Sequence, residues 1–172
     1  VIRGINAFAA GVNEVNPDAT VEVVWTFTWF GPEAETQAAN ALLETGADVL
    51  AQHQDSTATG LAAEAAGAKW ISYNTAYGKD SAPEAFVTAP VWDWGPYYVD
   101  VVESIIDGTF STETYWGGME TGLVSLYDLS SDVPSDIATL IGEKTDAIID
   151  GTLEVEIVEE EFISNVIGTV NP

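Results

Sequence analysis

Between Thr20 and Tyr73 the chain passes twice through one order: an apolar strand-like run, a helix-compatible segment, and a glycine where the helix should stop. The strands read as Thr20 to Thr28, Ala47 to Ala51 and Lys69 to Tyr73, and the helices as Pro32 to Thr45 and Thr57 to Ala66. Pro32 suits the first turn of its helix, and Gly46 and Gly67 are placed to end theirs. Strand and helix alternating over such short connections build parallel βαβ units with right-handed crossovers. The class is therefore α/β, a parallel sheet flanked by helices. All three strands bring their carboxyl ends to one rim, the edge at which open α/β sheets bind ligands.

The flanking segments extend this pattern. Residues 1–14 carry Ile2, Ile5, Ala9 and Val12 at helical spacing, without an N-cap residue, which predicts a further strand ahead of Val1 in the natural protein. After Tyr77 the spacing predicts a strand over 85–89 and a helix from Pro96 to Gly108 with Tyr98, Val101, Val102, Ile105 and Ile106 inward. A strand over 122–129 follows, then a helix over 135–150 with Ile137, Leu140, Ile141 and Ile148 inward. Glu154 to Val158 alternates acid and apolar residues like a half-exposed strand.

The rim carries the candidate chemistry. Ala51-Gln52-His53-Gln54-Asp55-Ser56 stands where the second strand hands over to its helix. Asp55 is the one acid among the three strand ends, and its carboxylate could accept two N–H groups of a ligand or cap the helix beginning near Ser56. Trp29 and Phe30 end the first strand, where a flat aromatic suits a planar ligand by stacking, and Tyr73-Asn74 end the third. His53 is the sole histidine, without a partner for a metal site or a triad, and reads as a ligand contact or a packing residue. Trp92 and Trp94 bracket Asp93, with Trp92 the one expected at the ligand.

Charge and composition exclude several classes. There are 28 Asp and Glu against 4 Lys and Arg, a net charge of −24, spread along the chain. Such a surface repels itself in dilute salt and suits a high-salt medium, since the Debye length shrinks from about 10 Å at 0.1 M to about 3 Å at 1 M. Nucleic acid and anionic membrane surfaces are poor partners for it. With 47% hydrophobic residues the chain can still build a core. Cysteine is absent, which removes disulfides and thiolate sites. No apolar run is long enough to span a bilayer. There is no G-x-G-x-x-G, Walker loop or G-x-S-x-G elbow, so no catalytic residue, metal or cofactor is expected.

Val1-Ile2-Arg3-Gly4-Ile5-Asn6-Ala7-Phe8, Val15-Asn16-Pro17-Asp18-Ala19-Thr20, Gln52-His53-Gln54-Asp55, Tyr73-Asn74 and Trp92-Asp93-Trp94-Gly95-Pro96-Tyr97-Tyr98 together resemble the basic membrane protein family of solute-binding lipoproteins, which serve ABC importers. The resemblance implies a type I periplasmic binding protein fold, of which this chain is the C-terminal part. Residues 1–90 would form the second, ligand-binding lobe, 91–118 a helix returning to the first lobe, and 119–172 the hinge-proximal strand, helix and last strand. It implies capture of a purine outside the cell, as a monomer, and delivery to ABC permease subunits. Contact with the membrane would come only through a lipid anchor outside this segment, at the outer face of the cell membrane or in the periplasm. Family members stack the purine on an aromatic at the position of Trp29 and use polar groups at those of Asp55 and Asn74. The nucleoside-binding branch carries a small residue where Asp55 stands, and an acid where Asn74 stands and a lysine where Trp92 stands, the last two being groups that hold ribose. Their absence here implies a purine nucleobase rather than a nucleoside. The rivals are a nucleoside-processing hydrolase on a related fold and the sensing domain of a membrane receptor.

Overall fold

The computed structural model describes residues 1–170. Five α-helices and seven short strands follow in the order α1 (Ile2–Val15), β1 (Val21–Val24), α2 (Pro32–Thr45), β2 (Val49–Ala51), α3 (Ala58–Ala66), β3 (Lys69–Ile71), β4 (Phe86–Thr88), β5 (Pro90–Trp92), α4 (Gly95–Ile106), β6 (Val124–Leu126), α5 (Ser135–Ile149) and β7 (Val166–Val170). The alternating strands and helices of the sequence pattern are thus present, with parallel ladders joining β2 to β3 and β1 to β7. Gly46 and Gly67 do end α2 and α3, both in the left-handed region (φ 102° and 72°) that a side chain would disfavour.

The chain forms two compact units. The first comprises residues 1–73, 77–87 and 155–172, the second 74–76 and 88–154. In the first unit the core is built around Trp70, which is 0% exposed and meets Phe86 edge to face with ring centroids 6.0 Å apart. Leu50 of β2 and Ala63 of α3 are buried with it. The α3 helix turns Thr59, Gly60 and Ala63 inward, while Leu61 and Ala65, which periodicity predicts inside, are exposed. The indole explains this: a Cβ built on Gly60 would lie 2.4 Å from the Trp70 ring, so the large side chain of β3 requires the glycine face of the helix.

Two further expectations are corrected. The first strand stops at Val24, not Thr28, because Phe27 takes a left-handed backbone (φ 53°) that no strand accommodates. No strand forms over 154–158. Asn6, buried on α1, instead donates to the carbonyls of Val158 (2.9 Å) and Glu161 (2.7 Å) and accepts from the Ile163 amide (3.1 Å), engaging that backbone with a side chain. The strand comes later, at β7, beside β1.

In the second unit, β5 and β6 pair antiparallel, with Trp92 opposite Val124. The half-buried side of α4 is Tyr97, Val101 and Ser104, not the Tyr98, Val102 and Ile105 side. Tyr97 stacks on Tyr115 at 4.3 Å and turns the helix that way, leaving Tyr98, Val102, Ile105 and Ile106 exposed. Ile137 of α5 is likewise exposed, and Leu140, Ile141 and Ile148 are half-buried.

Candidate functional site

Two loops of the first unit, 25–31 after β1 and 52–57 after β2, are joined by two hydrogen bonds, and a third ties the second loop to α2. The Asp55 amide donates to the Trp29 carbonyl (2.8 Å), Gln54 Nε2 to Thr26 Oγ1 (2.8 Å), and Ser56 Oγ to Glu35 Oε2 (2.6 Å). Beneath them, Trp70 Nε1 donates to Gln52 Oε1 (2.9 Å), and Gln52 Nε2 donates to the carbonyls of Gln54 and Ser56 (2.7 Å each). One amide side chain thereby ties the second loop to the buried indole. Thr26 and Thr28 hydroxyls donate to the Thr28 and Phe30 carbonyls and brace the first loop.

The polar side chains of Thr26, Thr28, Gln52, Gln54 and Ser56 are therefore engaged in holding the shape of these loops. Asp55 is not: it is exposed, and its carboxylate makes no hydrogen bond or ion pair among the described residues. The capping alternative for Asp55 is taken by Ser56, whose Oγ accepts the Ala58 amide (3.2 Å). Next to Asp55, Trp29 and Phe30 are 61% and 65% exposed. Solvated aromatic faces beside an uncommitted carboxylate form a surface that can stack a planar group and accept its N–H donors.

His53 is half-buried. Its ring lies 4.8 Å from that of Tyr73, and a Cβ on Gly4 of α1 would stand 2.9 Å from its Cε1, so it fills space between α1 and β3. Burial holds its imidazole below the ordinary value of 6.5. An unfolded chain binds a proton there near pH 6.5, while the folded chain does so only at lower pH. Stability relative to a His53→Gln variant is therefore expected to fall as the pH drops below about 6.5 and to level off once the folded imidazole is charged. Thermal melts of both proteins between pH 7.5 and 5 check this; parallel curves would refute it.

Asn74 and Trp92 belong to the second unit. Asn74 has φ 58°, a conformation asparagine tolerates better than most residues, and bridges to Val91. Trp92 is half exposed and packs edge to face on Trp94 at 5.8 Å. Two features of the first unit escape the sequence pattern. Phe27, 83% exposed, sits in what reads as a strand interior. Glu35, 1% exposed, sits in a helix whose polar residues read as solvated. The only signal for Glu35 is its place four residues after Gly31, at the first turn of α2.

Among the described residues there is no cluster of His, Cys, Asp and Glu able to hold a metal, and no helix long and apolar enough to cross a membrane. A purine-binding protein of Brucella abortus is 40% identical over 154 residues, covering 87% of this chain and 42% of that protein. A protein of Haloferax volcanii, named for glucose binding in an ABC transporter, is 38% identical over 155 residues, covering 90% of this chain and 39% of that protein. The chain thus spans about two fifths of each of these relatives. The solved structure of an ABC transporter solute-binding protein from Conexibacter woesei superposes with a TM-score of 0.70 at 24% identity, over 86% of this chain and 50% of that one, which supports the periplasmic binding protein fold. The family of PnrA-like ABC transporter substrate-binding proteins, which are not enzymes, matches residues 1–158, and the chain belongs to it.

Proposed function

We propose that this chain forms the ligand-binding lobe, about residues 1–90, of an extracytoplasmic receptor that captures a purine nucleobase and delivers it to ABC permease subunits. In this reading 91–118 returns to a first lobe, 119–172 completes the two lobes, and a lipid outside the segment anchors the protein. The observation that carries it is the uncommitted Asp55 carboxylate beside the exposed Trp29, on loops tied by the Asp55–Trp29 backbone bond. A base has two flat apolar faces and an edge with N–H groups. Trp29 and Phe30 would take a face and Asp55 would accept edge N–H groups; by the family resemblance Trp92 would add a ring and Asn74 a donor and an acceptor. His53 would touch the ligand only at its margin. Ligand would shift the receptor to a closed form, because only that form makes contacts from both lobes at once.

A sugar is the second reading, favoured by the name of the Haloferax volcanii relative. Against it stands the scarcity of available polar side chains: Gln52, Gln54, Ser56 and Thr26 are engaged within the loops, and a hydroxyl-rich ligand needs many such partners.

Calorimetry in molar salt with adenine, guanine, adenosine and glucose separates these readings. Base binding is expected, with Asp55→Ala weakening it by about 10–100-fold and Trp29→Ala by about 10-fold. Binding of adenosine without adenine would refute the choice of base over nucleoside, and binding of glucose alone would refute the purine reading.

A further inference from the structure

We propose that Glu35 is the positioning residue of this site, a buried carboxylate that fixes the spacing between the Trp29 face and the Asp55 carboxylate; the inference rests on the site reading given above. Glu35 is 1% exposed on the first turn of α2. Its Oε1 accepts the Gly31 amide (2.9 Å), and its Oε2 accepts the Ser56 hydroxyl (2.6 Å). Gly31 is two residues from Trp29, and Ser56 follows Asp55 directly. The two oxygens of one side chain therefore each hold one of the two loops.

The chemistry argues against a merely space-filling role. Burying a carboxylate costs free energy unless its oxygens are hydrogen-bonded, and an apolar residue of similar size would fill the volume without that cost. Both oxygens of Glu35 are satisfied, and the carboxylate stands at the positive end of α2. What an apolar replacement could not do is link the loops. Ser56 extends the linkage, since its Oγ also accepts the Ala58 amide and so joins the first turn of α3 to the first turn of α2 through one carboxylate. The Asp55–Trp29 backbone bond lies between the two attachment points and would loosen with them.

The test uses the protein in molar salt with three variants and a control. Glu35→Gln keeps an acceptor for the Gly31 amide and a polar partner for Ser56, so its adenine affinity is expected to stay within about threefold of wild type. Glu35→Leu fills the space without either bond and is expected to weaken adenine binding by about 10-fold or more. Ser56→Ala cuts one arm and is expected to lose about 3–10-fold, and its effect should largely vanish in the Glu35→Leu background, as coupled residues do. The control, Asn6→Ala, removes the α1 side chain that bonds the 158–163 backbone and should lower the melting temperature without changing affinity. A Glu35→Leu protein that melts earlier yet binds adenine within twofold of wild type would overturn the proposal, as would full additivity with Ser56→Ala. Hydrogen exchange at the Asp55 amide gives a readout that needs no ligand. Faster exchange in Glu35→Leu or Ser56→Ala than in Glu35→Gln is expected, and equal rates would overturn the linkage. If the wild-type protein binds none of the ligands, the site reading fails while the exchange result still decides the role of Glu35.

Discussion

Lowering the salt from 2 M to 10 mM is expected to remove on the order of 5 kcal/mol of stability, enough to unfold the protein or bring it to the edge of unfolding. Two like charges about 10 Å apart in water repel by roughly 0.4 kcal/mol. At 10 mM salt the Debye length of about 30 Å leaves most of that repulsion, and at 1 M, where it is about 3 Å, nearly all is gone. The net charge is −24. If each uncompensated acid has about two such neighbours, the sum is on the order of 7 kcal/mol, of which the expanded unfolded chain keeps a part. Total stabilities are about 5–15 kcal/mol, so the term decides whether the chain is folded. The Arg3–Glu159 ion pair, at 3.4 Å and largely exposed, contributes little against it. Thermal melts in sodium chloride from 10 mM to 2 M check this. Because screening does not depend on the ion, guanidinium chloride at roughly 0.2 M should also stabilise before it denatures. A melting temperature independent of salt, or one raised by salt and lowered by even dilute guanidinium, would refute the electrostatic account.

What the sequence discloses of this fold divides along one line. Period and punctuation depend on neighbouring residues, so the helices bounded by Pro32 and Gly46 and by residues 57 and 67 are legible. So are the parallel β2–β3 pair and the loop from Gln52 to Ser56. The face a helix buries depends on what stands opposite. Trp70 selects the Gly60 side of α3, and Tyr115 selects the Tyr97 side of α4, although both helices carry larger apolar residues elsewhere. The same holds for strands. Glu154 to Val158 has strand alternation, but Asn6 occupies the carbonyls of Val158 and Glu161, and the β-branched run at Val166 pairs with β1 instead. At the candidate site, Trp29 and Asp55 are legible as residues that follow strand ends. Glu35 is not, because a buried acid and a solvated one look alike in a chain with 28 of them.

The second large effect concerns the indole on which the loop after β2 rests. Trp70→Ala is expected to cost about 5 kcal/mol: a buried Trp truncated to Ala loses about 3–5, and the Gln52 Oε1 that accepted its N–H is left without that donor, adding about 1. Trp70→Phe separates the two terms, since it keeps most of the ring and removes the N–H, and should cost about 1–3 kcal/mol. The glycines around the ring make the argument sharper. A Cβ on Gly78 would come within 2.0 Å of the indole and one on Gly60 within 2.4 Å, so neither position can take alanine while the ring is in place. Gly60 lies in α3, where alanine would otherwise be favoured by about 1 kcal/mol. In the wild-type background Gly60→Ala is therefore expected to destabilise by about 2–3 kcal/mol through overpacking. In the Trp70→Ala background it should be neutral or stabilising, because the methyl enters the space the ring has left and helix propensity then acts alone. Denaturant unfolding of the four proteins in molar salt measures the coupling, expected at about 2–3 kcal/mol. Costs that simply add within about 0.5 kcal/mol would show that the ring is not what these glycines accommodate, and that Trp70 is not the support of the loop that carries Asp55.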